Sequence, residues 1–485
     1  MNLPRLVIAG LSGDSGKTLI SLSLSAYLKS KGDKLSVFKK GPDYIDAAWL
    51  GFAARHVCYN LDTFLMGKKE VMTSFIIHSQ DSQFSLIEGN RGLYDGVNVK
   101  GTHSTAELAK LLKAPVVLVV DVTKMTRTTA AIINGCRDFD RELNLAGIIL
   151  NNVAGKRHQK IITDAITEFC SLPVLGSIPK LGKEANLIPG RHLGLVPPAE
   201  FAANDKLTSS LCSIAEKYLD VDEILNIAKS APDILDITEK LTSKETITSG
   251  DVKVRIGYFK DSVFTFYYPD NLEALEKSGA ELIPVSSVED KKLPEIDALY
   301  IGGGFPETHA KQLSANRELM NAIKDKARLG LPIYAECGGL IYLCNSLKWN
   351  DESFPMTGLF DIDLQMNEKP VGHGYTENII DQPNSYYNTG EILKGHEFHY
   401  SGSVVNLDNQ LGCMAMNKGV GLGNKRDGLC YKNVFACYTH IHALGTKSWA
   451  STLVHNARDY NKSMKAGKTT ETISDSEGER YRVTV

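Results

Sequence analysis

The chain lacks a stretch of about 18 consecutive apolar residues, which excludes a helix built to span a bilayer. Its nine cysteines, at 58, 136, 170, 212, 337, 344, 413, 430 and 437, form no C-x-x-C pair, so neither a zinc ribbon nor a dithiol redox motif is indicated. Charge of one sign is missing too. With 54 Lys and Arg against 57 Asp and Glu the net charge is −3, and a polyanion such as nucleic acid is not an implied partner. The opening run "MNLPRLVIAG" has none of the basic, apolar and small-residue regions of a signal peptide. These absences lead to the expectation of a cytoplasmic protein with free thiols, no membrane association and no internal repeat.

What is present is an ordinary globular composition, 43% apolar and 23% charged, over 485 residues, which is enough for two or three domains. Short β-branched runs alternate with helical patterns in two blocks. In the first they are "RLVIAG" (5 to 10), "FSLIEG" (84 to 89), "APVVLVVD" (114 to 121), "LAGIILNNV" (145 to 153) and "LPVLGSIP" (172 to 179). Continuous apolar runs of this length suit a parallel sheet covered on both faces. Residues 201–250 turn polar around two weak helical patterns, with "SKETITSGD" (243 to 251) as a linker. A second sheet is expected from "VKVRIGYF" (252 to 259), "AELIPV" (280 to 285), "IDALYIGGG" (296 to 304) and "LPIYAECGG" (331 to 339), and a polar tail from 462 to 485.

"GLSGDSGKT" (10 to 18) follows the first strand and opens a helical pattern at Lys17 and Thr18. Backbone N–H groups, a helix start and one ammonium converge there, as a nucleotide's phosphates require. The strict G-x-x-x-x-G-K-[ST] spacing is broken, because Leu11 stands where the first glycine belongs, but Gly13 and Gly16 still supply the loop. Two acidic stretches fit the same site. "FKKGPDYID" (38 to 46) sets Lys39, Asp43 and Asp46 after a strand, and "IEGNRGLYDG" (87 to 96) sets Glu88 at a strand's C-terminal end. Thr18, Asp43 and Glu88 are the expected Mg²⁺ ligands, directly or through water; Asp46 serves equally well as a helix cap.

The second block carries "AECGG" (335 to 339), a strand that turns sharply at Cys337 into a helical run. A thiol on such an elbow is a nucleophile, and a helix start favours its thiolate. Cys344, two helical turns on, suits an inert buried thiol. Gly303 and Gly304 of "GGGFPE" follow a strand and offer backbone N–H groups to an oxyanion. His396 and His399 of "GHEFHYS" and His440 and His442 of "YTHIHALG" are candidate bases; spacing alone does not choose between the last two.

Taken in order, "GPDYID", "NLD", "EGNRGLYDG", "RHLGLVPPAE", "GGGFPE", "ECGG" and "GHEFHYS" resemble the cobyrinic acid a,c-diamide synthases across nearly the whole chain. The resemblance implies an α/β protein: a P-loop, parallel-sheet ATPase domain (1–200) similar to dethiobiotin synthetase, a helical segment and linker (201–250), and a class I glutamine amidotransferase-like domain (251–461). It implies activation of a corrinoid acetate by ATP as an acyl phosphate and its displacement by ammonia from glutamine. It implies ATP and Mg²⁺ at Gly13, Gly16, Lys17, Thr18, Asp43 and Glu88, with Asn151 at adenine, and His440 as the partner of Cys337. Tyr44, Asp46, Arg91 and Asp95 are expected on the substrate side, and His396 and His399 near the ammonia route. Small molecules are thus the partners, with a homodimer as an open arrangement.

Three departures stand out. The family commonly reads "EGVMGLYDG", so Arg91 adds a cation beside the acidic cluster. Ala335 replaces the glycine usual two residues before the nucleophile, and the glutamate usual two residues after the histidine is His442. The same architecture resembles enzymes that amidate sirohydrochlorin derivatives, which is the alternative substrate. A partitioning ATPase would carry a signature lysine at Ser12 and no cysteine elbow; a binding module would have lost Cys337 or the histidines.

Overall fold

The computed structural model describes residues 1–181, 190–191, 194–198, 200, 205–234, 253–405 and 411–467. The chain divides into two compact units, Met1–Lys244 and Glu245–Val485. The expected linker at 243–251 and most of the expected tail lie outside the described residues. No helix among the described residues is long and apolar enough to cross a membrane.

In the first unit seven strands form one parallel sheet: β1 (Arg5–Gly10), β2 (Leu35–Lys40), β3 (Cys58–Leu61), β4 (Phe84–Glu88), β5 (Val116–Asp121), β6 (Leu145–Val153) and β7 (Val174–Pro179), in the order β3-β2-β4-β1-β5-β6-β7. Each of the first four is buried along its whole length; β1 and β4 coincide with runs read from the sequence, whereas β2 ends in two lysines and β3 carries Asn60. Helices α1 (Lys17–Ser30), α2 (Ile45–Ala54), α3 (Lys68–Ser79), α4 (Thr105–Leu111), α5 (Thr128–Phe139) and α6 (Lys156–Cys170) cross between them. The register pairs Glu88 with Ile8 on one side and with Lys39 on the other, so three strand ends open onto one edge. Lys39 therefore lies inside β2 and not after it. A two-residue pair, β8 (Gly190–Arg191) with β9 (Gly194–Leu195), precedes helices α7 (Asp205–Tyr218) and α8 (Val221–Lys229). These two helices pack on α1, β1 and β7, so the helical part of 201–250 belongs to the first unit.

The second unit begins with β10 (Val254–Phe259), α9 (Pro269–Lys277), β11 (Ala280–Val285), β12 (Ala298–Ile301), α10 (Ala310–Ala315), α11 (Arg317–Arg328), β13 (Ile333–Glu336) and α12 (Gly338–Leu343). Then come strands that the sequence pattern did not reveal: β14 (Ser346–Trp349), β15 (Glu352–Pro355), β16 (Asp363–Met366), β17 (Gly372–Ile380), β18 (Ile392–His399), β19 (Ser401–Ser403), β20 (Met414–Lys418) and β21 (Arg426–Asp427). The chain closes with β22 (Leu429–Tyr431), β23 (Val434–Cys437), β24 (His440–Ile441) and α13 (Ser448–Lys465), a helix that runs past the expected start of the tail at 462. The main sheet is β11-β10-β12-β13-β23-β22, parallel except for β22; two smaller sheets, β15-β14-β16-β19 and β21-β20-β17-β18-β24, flank it. Alternation sorts its two faces. Leu299, Ile301, Ile333 and Ala335 enter one apolar cluster, while Tyr300 and Tyr334 enter the other.

One buried cation ties the first unit's ends together. The Arg5 guanidinium is fully buried and donates to the carbonyls of Leu112 (2.6 Å), Leu3 (2.8 Å), Lys113 (3.2 Å) and Pro232 (2.6 Å). Burial pulls its pKa down to about 10, with the nearby Asp233 charge opposing, so it stays charged at neutral pH. Arg5→Met keeps the volume but leaves four carbonyls without that donor. The expected loss is about 3 kcal/mol, read as a lower urea midpoint with an unchanged slope. A midpoint equal to the parent's would show that the carbonyls find other donors.

Candidate active site

At the end of β1 the chain turns through Leu11–Gly16 into α1, and Gly16 adopts φ 98° at the helix start. A side chain there is barred twice over, by the left-handed backbone and by Asn151, whose Nδ2 would lie 2.3 Å from an added Cβ. Asn151 was expected at adenine. It is buried beside the cradle and donates from Nδ2 to the Ser15 carbonyl at 3.0 Å. Lys17 curls over the same loop, its Nζ donating to the Ser12 carbonyl at 2.8 Å. Burial, then the Lys39 charge, lower its pKa. Gly13 stands open, with nothing within 4 Å of a Cβ position.

Below the cradle lies a cluster that the motifs only partly outlined. Thr18 Oγ1 donates to Glu88 Oε1 at 2.8 Å and lies 3.5 Å from Asp46 Oδ2. The Lys39 ammonium bridges Asp46 Oδ2 (2.6 Å) and Glu88 Oε1 (2.7 Å), with Asp43 at 3.8 Å. Burial works against the Lys39 charge, but Asp46, Glu88 and Asp43 outweigh it and hold its pKa well above the usual value. Burial and the Asp46 charge push Asp43 up to about 7. Burial also raises Glu88 in spite of Lys39, whereas for Asp46 the Lys39 charge and hydrogen bond overcome burial and lower it.

Asp43 Oδ1 accepts the Asp46 N–H at 2.9 Å, which is a turn-capping bond, and it is Asp46 that shares oxygen contacts with Thr18 and Lys39 alongside Glu88. Glu88 Oε2 is buried with no hydrogen-bond partner among the described residues. A hydroxyl and carboxylate oxygens, one of them unsatisfied, form a hard donor set that suits Mg²⁺. Lys39, named from the sequence beside Asp43 and Asp46, is the cation that bridges Asp46 and Glu88, a pairing its place in the sequence did not show.

The substrate-side candidates are dispersed. Tyr44 is half-buried at the start of α2. Arg91 is exposed on a left-handed residue, φ 53°, just after β4, and its charge acts on buried Lys40. Asp95 accepts the Gly92 N–H at 2.9 Å, closing the turn.

In the second unit Cys337 sits at φ 46° and ψ −96°, a combination that non-glycine residues avoid. The turn is held from both sides. The Cys337 N–H donates to the Cys437 carbonyl at 2.7 Å, and β13 pairs with β12 and β23 up to that point. The expectation that the thiolate is favoured meets an opposing force: burial foremost, and the Glu307 charge, raise the thiol's pKa, with the Gly338 N–H working against them. Cys344, also raised by burial, lies fully buried in the core as expected of an inert thiol.

The "GGGFPE" loop packs on this turn. A Cβ on Gly338 would lie 3.0 Å from the Gly304 nitrogen and 3.4 Å from the Gly303 carbonyl carbon. Of the expected oxyanion pair, Gly303 donates its N–H to the Phe266 carbonyl at 3.3 Å, and the Gly338 N–H bonds to the Cys337 thiol. His440 lies against the same loop. A Cβ on Gly303 would meet its Cε1 at 2.5 Å and its Nε2 at 3.2 Å, so Gly303 has the Cys337 turn on one side and His440 on the other.

The structure also separates the histidines that spacing left together. His440 Nδ1 lies 3.4 Å from Glu336 Oε2, whereas His442 Nε2 lies 3.5 Å from Asp270 and its ring 4.7 Å from Tyr268. His396 stacks on His440 at 4.9 Å, and burial drives its pKa well below the usual value. His399 stacks on Tyr438 at 3.7 Å, with Nε2 3.4 Å from Glu397.

Comparison with known proteins agrees with both halves. Residues 6–189 match the CobQ/CobB/MinD/ParA nucleotide binding domain, and residues 255–448 match the CobB/CobQ-like glutamine amidotransferase domain. The cobyrinate a,c-diamide synthase of Magnetococcus marinus is 40% identical over 94% of this chain and 98% of its own length. That of Archaeoglobus fulgidus is 40% identical over 94% and 98%, and that of Caldanaerobacter subterraneus 37% identical over 90% and 94%. With a nucleotide cradle in one unit, a strained cysteine in the other and this identity over almost the full chain, the protein belongs to the cobyrinate a,c-diamide synthase family.

Proposed function

We propose that this chain amidates the a and c acetate side chains of cobyrinate, using ATP and glutamine. The observation that carries the reading is the strained Cys337 turn beside Gly303, Gly304 and His440, in a chain whose other unit cradles phosphate. The relatives' names favour the corrinoid over a sirohydrochlorin derivative.

In the first unit the loop N–H groups and Lys17 hold the nucleotide's phosphates, and Lys17 balances charge on the phosphoryl group as it passes to the substrate carboxylate. Thr18, Asp46 and Glu88, with Asp43 behind them, would hold Mg²⁺, which supplies charge neutralisation of the phosphates when bound. Lys39 keeps the Asp46 and Glu88 carboxylates converged. The acyl phosphate that forms is attacked by ammonia, and phosphate leaves. In the second unit His440 takes the Cys337 proton, the thiolate attacks the glutamine amide carbon, and the Gly304 and Gly338 N–H groups face the oxyanion. Collapse of that intermediate releases ammonia, and water then frees glutamate from the thioester.

Cys337→Ala is expected to lower glutamine-dependent product by roughly a thousandfold, and to keep making product from ammonium salt at mildly alkaline pH, where free amine is available. His440→Ala should follow the same pattern. Lys17→Ala should lose roughly a hundredfold or more with either nitrogen source. Product is followed by mass. Full glutamine-dependent amidation by the Cys337→Ala protein would make the thiol structural and end this reading.

Arg91 is exposed beside the acidic cluster, where its planar fork can hold a peripheral carboxylate of the macrocycle with two parallel bonds. Arg91→Lys is therefore expected to raise the KM for the tetrapyrrole about tenfold and to leave that for ATP near the parent value. Equal tetrapyrrole KM would remove Arg91 from the site.

A further inference from the structure

Glutamine amidotransferases of this class orient their histidine with a glutamate two residues later in sequence, and here that position holds His442. Its neighbour is Asp270 and the face of Tyr268, not the Cys337 loop. His440 nevertheless has a carboxylate at its back, supplied from the residue just before the nucleophile. Building on the amidotransferase reading, we propose that Glu336 is the positioning residue of His440, so that β13 delivers both the nucleophile and the group that orients its base.

Four observations converge on this. Glu336 is fully buried, and its Oε2 lies 3.4 Å from His440 Nδ1. Its Oε1 accepts the Ile441 N–H at 3.1 Å, which fixes the backbone next to the histidine as well as the ring. Tyr300 donates its hydroxyl to Oε2 at 3.2 Å, so the carboxylate cannot swing away without losing a second partner. Asn271 anchors the same segment, donating to the Ile441 carbonyl at 3.0 Å and accepting from the Ala443 N–H at 2.7 Å. A carboxylate only accepts, so Nδ1 carries the proton of the neutral ring and Nε2 holds the lone pair that can receive the thiol's proton.

Most of the ionisable groups packed around this pair are held neutral by burial. The hydroxyls of Tyr267, Tyr300, Tyr334 and Tyr387 and the thiols of Cys337 and Cys437 are all raised by burial, and so remain neutral near pH 7. The stacked His396 ring is lowered by burial and stays neutral too. Glu307, Glu336 and Asp427 all carry charge that acts on the Cys337 thiol, and of the three it is Glu336 whose carboxylate oxygen lies 3.4 Å from His440 Nδ1. Glu336 is thus the carboxylate in contact with the ring, as the imidazolium that forms when the thiol is deprotonated requires.

Glu336→Gln is nearly isosteric and tests this directly. The amide can still accept from Ile441, but its NH₂ would donate to Nδ1 and move the ring proton to Nε2, where it blocks proton transfer from the thiol. Glutaminase kcat is expected to fall roughly a hundredfold or more with little change in KM for glutamine. The rate of Cys337 alkylation by iodoacetamide should drop near pH 7, its rise moving to higher pH, and Glu336→Asp, which keeps the charge at greater reach, should restore part of both. Parent-like alkylation in a folded Glu336→Gln protein overturns the proposal, even if kcat falls. Where Glu336→Gln does not fold by circular dichroism, Glu336→Asp decides: an alkylation profile displaced to higher pH supports the role and a parent profile overturns it. Glutaminase activity that survives Cys337→Ala would instead overturn the amidotransferase reading on which this rests.

Discussion

Parallel strand pairing is the constraint from which both sites follow. A parallel sheet sends every strand out through the same edge, so residues far apart in sequence become neighbours wherever strands end in register. In the first unit the register Ile8, Glu88, Lys39 places a metal-suited carboxylate between the phosphate cradle after β1 and the acidic turn after β2. In the second, the register of β12, β13 and β23 sets "GGGFPE" beside the Cys337 turn and anchors the Cys337 N–H to the strand that leads into His440. A strained residue persists only where its flanks are over-determined, and β13 is paired with β12 as far as Ala335 and with β23 as far as Glu336, just before Cys337.

Buried charge is handled differently in the two units. The first confines a lysine with three carboxylates, an arrangement whose desolvation cost is offset only by close contacts, and these are present at 2.6 and 2.7 Å. The net effect is a set of carboxylates held converged by the buried lysine. The second unit surrounds one carboxylate, Glu336, with groups that burial keeps neutral, and sets it against the His440 ring. Neither arrangement depends on surface charge, in keeping with a nearly balanced chain.

Much of the scaffold was legible in the sequence because it is apolar and periodic. The strands read at 5 to 10, 145 to 153 and 280 to 285 match the observed ones residue for residue; the first two are runs buried on both faces, and the third is an edge strand bounded by Gly279 and the polar turn after Val285. The short strands between Ser346 and Tyr431 were missed; β15, for example, is largely exposed, so its residues carry no apolar pattern. Of the site, Lys17, Thr18, Glu88, Cys337 and His440 were marked by motifs. Lys39 and Glu336 were visible as letters but not as partners, and Asn151 and Gly303 proved to be bonded within the scaffold.

The sequence alone determined the two parallel-sheet units and the order of the motifs, and marked Cys337 as the candidate nucleophile, because these rest on local spacing: a glycine loop before a helix, a cysteine on a strand-to-helix turn. Tertiary structure alone decided which of two histidines faces the Cys337 loop, which aspartate joins Glu88, and where the carboxylate behind His440 comes from. Those are questions of distance between residues about 40 to 100 positions apart, and only the register of paired strands converts such separations into contacts of 3 to 4 Å.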